Sequence, residues 1–165
     1  LFTFNPLLFT FKMFSKEEAT RLRQQFWISF GQYMKPIPGA EGLPINWVNY
    51  KTGVKNIFFR LDAEKKYASI AIEIAHPDEG IRELFFEQFQ EFKLMLENTL
   101  NEQWNWLPSV TNSYDKQVAR IEMVLPNVSV YNQQQWSDII AFLKPRIIAL
   151  DEFWVDVKPV FEDLK

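Results

Sequence analysis

Cysteine is absent from the 165 residues, and histidine occurs once. The first absence excludes a disulfide scaffold, a thiolate zinc site and a cysteine nucleophile; the second excludes a multi-histidine metal site. Glycine is scarce, at five residues, and the chain carries no Gly-rich phosphate loop, no Gly-x-Ser-x-Gly and no Asp-x-Asp calcium loop. No stretch reaches the roughly 20 apolar residues of a membrane span. Net positive charge is also missing. The formal charge is −3 and the pI about 5.3, so no overall field holds phosphates by counterion release. Nucleic acid is therefore not expected as a partner of the isolated domain, nor is a membrane. No catalytic residue, metal or cofactor is assigned.

What is present describes a packed globule. Hydrophobic residues make up 47% and charged residues 24%, enough apolar surface to build a core without staples. Six tryptophans, five tyrosines and sixteen phenylalanines mark that core as aromatic. The greasy segment 1–12 lacks a basic start and a small-residue cleavage site, so it does not read as a signal peptide. It reads either as an extension outside the domain, with a natural start at Met13, or as a packed N-terminal strand. Residues 13–165 read as one α+β domain, with no repeat and no dividing linker.

Ser15 followed by Glu18 predicts a capped helix start. At about 100° per residue, Ala19, Leu22, Phe26, Trp27, Phe30, Tyr33 and Met34 fall on one side, and Pro36 and Pro38 end the helix. Three strand-like runs follow, Ile45–Tyr50, Val54–Leu61 and Tyr67–Ala75, whose short connections predict an antiparallel meander. In the third, Ile70, Ile72 and Ile74 alternate with Ala71, Glu73 and Ala75, so neither face is plainly wet and the strand is placed centrally. Asp78 caps a long helix over about 79–104. Pro108 stops that helix, and Val118–Leu125 and Val128–Tyr131 predict two more strands. Asn132 opens a final helix, interrupted at Pro145 and resuming to about Phe161. The expected order is α-βββ-α-ββ-α: a mainly antiparallel sheet of four or five strands, packed by the long helix and flanked by the N- and C-terminal helices.

The core order of a magnesium nuclease with a PD-(D/E)xK site begins similarly, with Asp62 and Glu73 as the available carboxylates. Alanine stands at position 75 where that site needs its lysine. With Asp62 placed at a hairpin turn, Glu73 lies about 20 Å away, too far to share a metal. Pairing Leu61 with Tyr67 would instead set Glu73 opposite Lys55, as an ordinary cross-strand ion pair. His76-Pro77-Asp78 matches the tripeptide of J-domains, but it follows a strand here and reads as a bend plus a helix cap; His76 remains a candidate because sites often form at strand ends. Trp47 and Tyr50 are candidate ligand contacts, expected on opposite faces of one strand. On the last helix, Ile148 and Val155 lie seven residues apart, outside the main apolar arc, as a narrow stripe that would dock a second copy or a protein partner.

The run from Phe26 to Pro36, the segment Asn46–Lys55 and the run Lys144–Trp154 together resemble a bacterial family of domains of unknown function, DUF4268-like, over residues 13–165. Some of its members end longer proteins that look like restriction-type nucleases. The resemblance implies a bacterial, cytoplasmic protein with an interaction or accessory role; it supplies no mechanism and no functional residues. A non-enzymatic module is thus the leading expectation. A nuclease-like domain with a degenerate or relocated metal site, and a small-ligand pocket beneath Trp47 or beside His76, are the alternatives.

Overall fold

The computed structural model describes residues 15–164; the segment 1–12 considered above lies outside the described residues. Helix α1, Lys16–Met34, starts where expected, with the Ser15 hydroxyl accepting the Glu18 N–H at 3.1 Å. Leu22, Phe26, Phe30 and Met34 are buried along it, whereas Tyr33 is half exposed and stacks under the Lys144 ammonium. Strands β1, Ile57–Ala63, and β2, Tyr67–Ile74, form a hairpin. Helices α2, Glu79–Glu91, and α3, Lys93–Leu100, lead to β3, Asn105–Thr111, and β4, Gln117–Pro126. A single 3-10 turn, Gln133–Gln135, opens α4, Trp136–Glu162.

The fold is α+β, with one antiparallel four-stranded sheet in the order β1-β2-β4-β3. The central place expected for the isoleucine-rich strand is correct: β2 has a neighbour on each side. Register puts Ile57, Ile74 and Ala119 in one row, Phe59, Ile72, Ile121 and Trp106 in the next, and Leu61, Ile70 and Met123 in a third. Because side chains alternate across a strand, all of these share the face that the helices cover. Phe89 of α2 meets Phe161 and Trp154 of α4 with ring centroids 4.3 and 6.3 Å apart, and Trp154 meets Phe59 of the sheet at 5.7 Å. The buried apolar residues form one cluster around this aromatic layer. No helix among the described residues is long and apolar enough to cross a membrane.

Five expectations about the elements need correction. Segment 45–50 is a loop. Its apolar residues are drawn inward, but its polar groups are satisfied locally: Asn46 Oδ1 accepts the Asn49 N–H at 3.1 Å, and the Trp47 indole donates to the Ile37 carbonyl at 2.9 Å. The helix expected over 79–104 breaks at Phe92, whose N–H bonds back to Phe89; the break leaves the Phe92 ring against Phe153 and Phe161. Pro108 does not stop a helix. It lies within β3, where an edge strand tolerates the missing N–H and the register slips between Leu107 and Val110. Residues 128–131 form no strand, since the Val130 N–H bonds to the Glu64 carbonyl and Trp136 donates to the Val130 carbonyl. The order is therefore α-ββ-αα-ββ-α.

The final helix also runs through both of its prolines without interruption, over 27 residues. Pro145 lacks the N–H that would bond to Ala141, a cost of up to about 3 kcal/mol in an isolated helix. Burial offsets it, with ten residues of α4 buried from Ile139 to Phe161. A bidentate pair from Arg146 to Glu102, at 2.7 and 2.9 Å, ties the helix to the start of β3 just past the proline.

Ile148 and Val155 are both half-buried within their own chain: Ile148 packs on the core, and Val155 lines a cavity under the loop Gly39–Ile45. Intrachain packing thus already engages the stripe. The pair Ile148→Glu and Val155→Glu is expected to lower the melting temperature of the monomer without changing its mass in light scattering, because each carboxylate would enter a partly dry site. An unchanged melting temperature with a shifted mass would return the stripe to association.

Candidate functional site

The face of the sheet turned away from the helices is polar. Its rows, read from the register, are Phe58, Glu73, Arg120 and Leu107; then Arg60, Ala71, Glu122 and Asn105; then Asp62, Ser69 and Val124. Two continuous cavities of about 410 Å3 each lie over this face and share Asp62, Asn112, Ser113 and Arg120. The β3–β4 hairpin loop, with Asn112, Ser113 and Tyr114, forms one wall; the loop Val48–Lys51 forms the other. Asp115 at a φ of 59° turns the hairpin, and the Asn112 carboxamide oxygen accepts the N–H groups of Tyr114 and Lys116 at 2.9 and 3.0 Å, which fixes this wall without a helix or strand behind it.

At the floor, Glu73 is buried with its side chain 3% exposed. One carboxylate oxygen accepts from Arg60 Nε at 3.0 Å and the other from Arg120 Nη2 at 3.2 Å. The Arg60 guanidinium also lies over the Phe58 ring at 4.0 Å, so aromatic face and carboxylate together hold it. A buried carboxylate is costly unless paired and hydrogen-bonded, and here two guanidiniums meet that condition. Their ten N–H donors exceed what one carboxylate accepts, and Arg120 Nε is buried without a protein partner. The expected partner of Glu73, Lys55, is thereby corrected: the hairpin pairs Leu61 with Ile70 rather than with Tyr67, and that shift of register brings Phe58 opposite Glu73 and Arg60 diagonally beside it.

The same shift moves Asp62 out of the turn and into β1, opposite Ser69. Asp62 and Glu73 now share a face, four residues apart along the ladder, or about 13 Å at roughly 3.3 Å per residue. The separation is shorter than the sequence reading gave, but still beyond the reach of one ion. Burial pushes the Asp62 carboxyl above the ordinary carboxylate range; Arg120 and Arg60 pull it down and Glu73 pushes it up, and burial dominates. A titratable group displaced by desolvation in a cleft makes Asp62 a candidate site residue. Beyond the groove, Arg23 of α1 closes the far end of the hairpin, donating to Glu64 at 2.7 Å and to the Tyr131 hydroxyl at 2.6 Å.

The other candidates are distributed. Tyr50 lines the groove with Glu73; its hydroxyl donates to Asp151 Oδ1 at 2.5 Å, while Asp151 Oδ2 accepts the Ala40 N–H at 2.7 Å. Burial first, then the Asp151 hydrogen bond, raises the Tyr50 phenol far above its ordinary range, so it stays protonated and anchors the loop to α4. Trp47 and Tyr50 do not occupy opposite faces of a strand: Trp47 is 2% exposed, and the two rings are 6.3 Å apart. His76 lies at a separate cavity, and Asp78 caps α2 at Ile81 N with 3.0 Å as expected. Sequence reasoning passed over Arg60, Arg120 and Asp151. The first two carried a signal, since each is a charged residue alternating with apolar ones in a strand run (Ile57-Phe-Phe-Arg60 and Val118-Ala-Arg120-Ile121).

Fold and groove define an α+β domain with a charged cleft on the open face of an antiparallel sheet. The chain belongs to the family described as Domain of unknown function (DUF4268), whose model matches residues 22–158. Neither the curated proteins nor the solved structures offer a significant match.

Two substitutions test the electrostatics. Glu73→Gln should cost about 2 to 3 kcal/mol in urea unfolding, below the range for fully dry pairs because Arg60 keeps some solvent; a cost under about 0.5 kcal/mol, as at an ordinary surface position, would show the pair to be incidental. For Asp62, a raised value means that the native state holds the proton more tightly than the unfolded chain does. Its contribution is therefore full below 3.8 and is lost as pH rises through the displaced value. Asp62→Asn, which mimics the protonated form, should raise the melting temperature at pH 7, with the gain vanishing as pH falls below 3.8. A gain independent of pH would remove burial of the carboxyl as its cause.

Proposed function

We propose that the domain is a non-enzymatic interaction module that holds an acidic segment of a partner protein in the groove over the open face of its sheet. The observation that carries this reading is the unmatched guanidinium donor at the groove floor: Arg60 and Arg120 converge on the carboxylate of Glu73, and Arg120 keeps a buried Nε donor without a protein partner. Lys51 adds a cation at the rim; Asp62, Glu64 and Glu122 also line the groove, and Glu64 is paired with Arg23. Guanidiniums suit carboxylates because their forked donors match two oxygens at once. Ser69, Asn112, Ser113 and Tyr114 add hydroxyl and amide groups along the walls, the kind of polar lining that fixes orientation more than affinity.

The nuclease-like alternative has less support. Both oxygens of Glu73 are engaged by arginines, Asp62 is distant from it, and no group of three or more His, Asp or Glu side chains that could hold a metal occurs among the described residues. An enzyme of that class places carboxylates around an ion, whereas here arginines surround a carboxylate.

Titration of the intact domain with glutamate-rich and lysine-rich peptides of equal length, followed by NMR, tests the reading. The acidic peptide should perturb the signals of Arg60, Arg120 and Asn112, lose affinity with added salt, and bind about tenfold more weakly to Arg60→Gln, a change of about 1.4 kcal/mol. Equal response to both peptides would defeat the proposal. So would magnesium-dependent cleavage of plasmid DNA that disappears in Glu73→Ala.

A further inference from the structure

The groove over the open face carries as much negative as positive charge. Arg60, Arg120 and Lys51 line it, and so do Asp62, Glu73 and Glu122, three charges of each sign; Glu64 is neutralised by Arg23. An acidic segment that enters such a cleft adds negative charge beside carboxylates already there. Glu73 is held by two guanidiniums, but among the described residues the carboxylates of Asp62 and Glu122 make no ion pair or hydrogen bond. These two feel the newcomer most.

Their positions differ. Asp62 lines both cavities, at the place they share with Arg120, Asn112 and Ser113, whereas Glu122 lines only one of them. A segment long enough to run through both cavities therefore passes over Asp62 and Arg120 together. Its carboxylate is drawn to the Arg120 guanidinium and repelled by Asp62. A proton on Asp62 removes the repulsion and also turns the group into a donor, because a neutral carboxyl carries one O–H that a second carboxylate accepts in a strong hydrogen bond.

The surroundings of Asp62 favour that proton. Burial raises its carboxyl, ahead of the opposing guanidiniums of Arg120, Arg60 and Arg23 and with the like charge of Glu73. Among the other groups along the groove, Tyr67 stays protonated, its phenol pushed up by burial and then by Glu64 and Asp62. His76, the single histidine of the chain, lies at the separate cavity.

We propose, on the basis of the acidic-segment reading of the groove, that Asp62 takes up a proton when such a segment enters, so that the interaction strengthens as pH falls. The occupied groove holds this proton more tightly than the empty one. The added affinity is therefore complete below the titration of Asp62 in the empty groove, and it is lost as pH rises through its titration in the occupied one.

The probe is the glutamate-rich peptide, titrated into the intact chain by calorimetry at pH values above about 5, where its own side chains stay ionised. Buffers of low and high ionisation enthalpy should give heats that differ as uptake of up to one proton per peptide requires. Affinity should rise as pH falls, by at most about tenfold per pH unit. By NMR, the Asp62 carboxyl carbon should titrate at higher pH with peptide than without it. Asp62→Asn, which stays uncharged, should bind more tightly than wild type at pH 7 and lose both the uptake and the slope, whereas Glu122→Gln should keep them. Peptide binding without proton uptake would overturn the inference and leave the acidic-segment reading standing, as would uptake that survives Asp62→Asn or disappears in Glu122→Gln. Absence of binding by wild type at every pH would defeat that reading, and the inference with it.

Discussion

The structure depends on the contact between the last helix and the isoleucine face of the sheet. Phe153, Trp154 and Phe161 of α4 are buried, and with Phe89 they form an aromatic layer that neither surface could bury alone. Burial of such side chains is worth roughly 1.5 to 3 kcal/mol each, which explains how a helix can retain two internal prolines. Two side chains of the same helix make three polar contacts with the preceding loop: the Trp154 indole donates to the Thr52 carbonyl at 2.8 Å, and the Asp151 carboxylate accepts from the Ala40 N–H and the Tyr50 hydroxyl. The long connection from α1 to β1 has no helix or strand of its own, so these contacts supply the partners for its polar groups. The loops Val48–Lys51 and Gly53–Asn56, which wall the candidate groove and the cavity beside His76, follow from that anchoring.

The two faces of the sheet obey different rules. On the helix side, apolar rows are interchangeable in kind. On the open side each charge has a particular environment: Glu73 is dry and doubly paired, whereas Asp62 is half-buried, with burial raising its carboxyl, and lacks so close a cation. The contrast between two carboxylates on one face is set by register, because the row that holds Glu73 also holds Arg120, while the row of Asp62 holds Ser69 and Val124. The cleft combines a paired ion cluster, which gives it shape, with one buried guanidinium donor, Arg120 Nε, that no protein group satisfies.

Much of the fold was legible locally. The capped start at Ser15, the alternation of Tyr67–Ile74, the cap at Asp78 and the apolar arc of the last helix are short-range patterns, and each appears as read. The family was legible too, from the runs around Phe26, Asn46 and Lys144. The misreadings arose where neighbours override local pattern. Asn46–Tyr50 has strand-like residues, yet finds its hydrogen bonds in a turn and against Ile37. Pro108 looks like a stop but sits on a sheet edge, where a missing donor costs little. Pro145 looks like an interruption, but the packing on both sides keeps the helix whole.

By itself the sequence determined the class of fold, the aromatic core, the central place of Tyr67–Ile74 and the lack of any metal or nucleophile motif, because composition and short periodicities carry that information. Tertiary structure alone decided which charges meet. Arg60, Glu73 and Arg120 come from three strands, and Lys51 from a loop. A shift of strand pairing changes every cross-strand neighbour, and the pairing is selected by the whole core rather than by any one segment. The groove exists only once the chain has closed on itself.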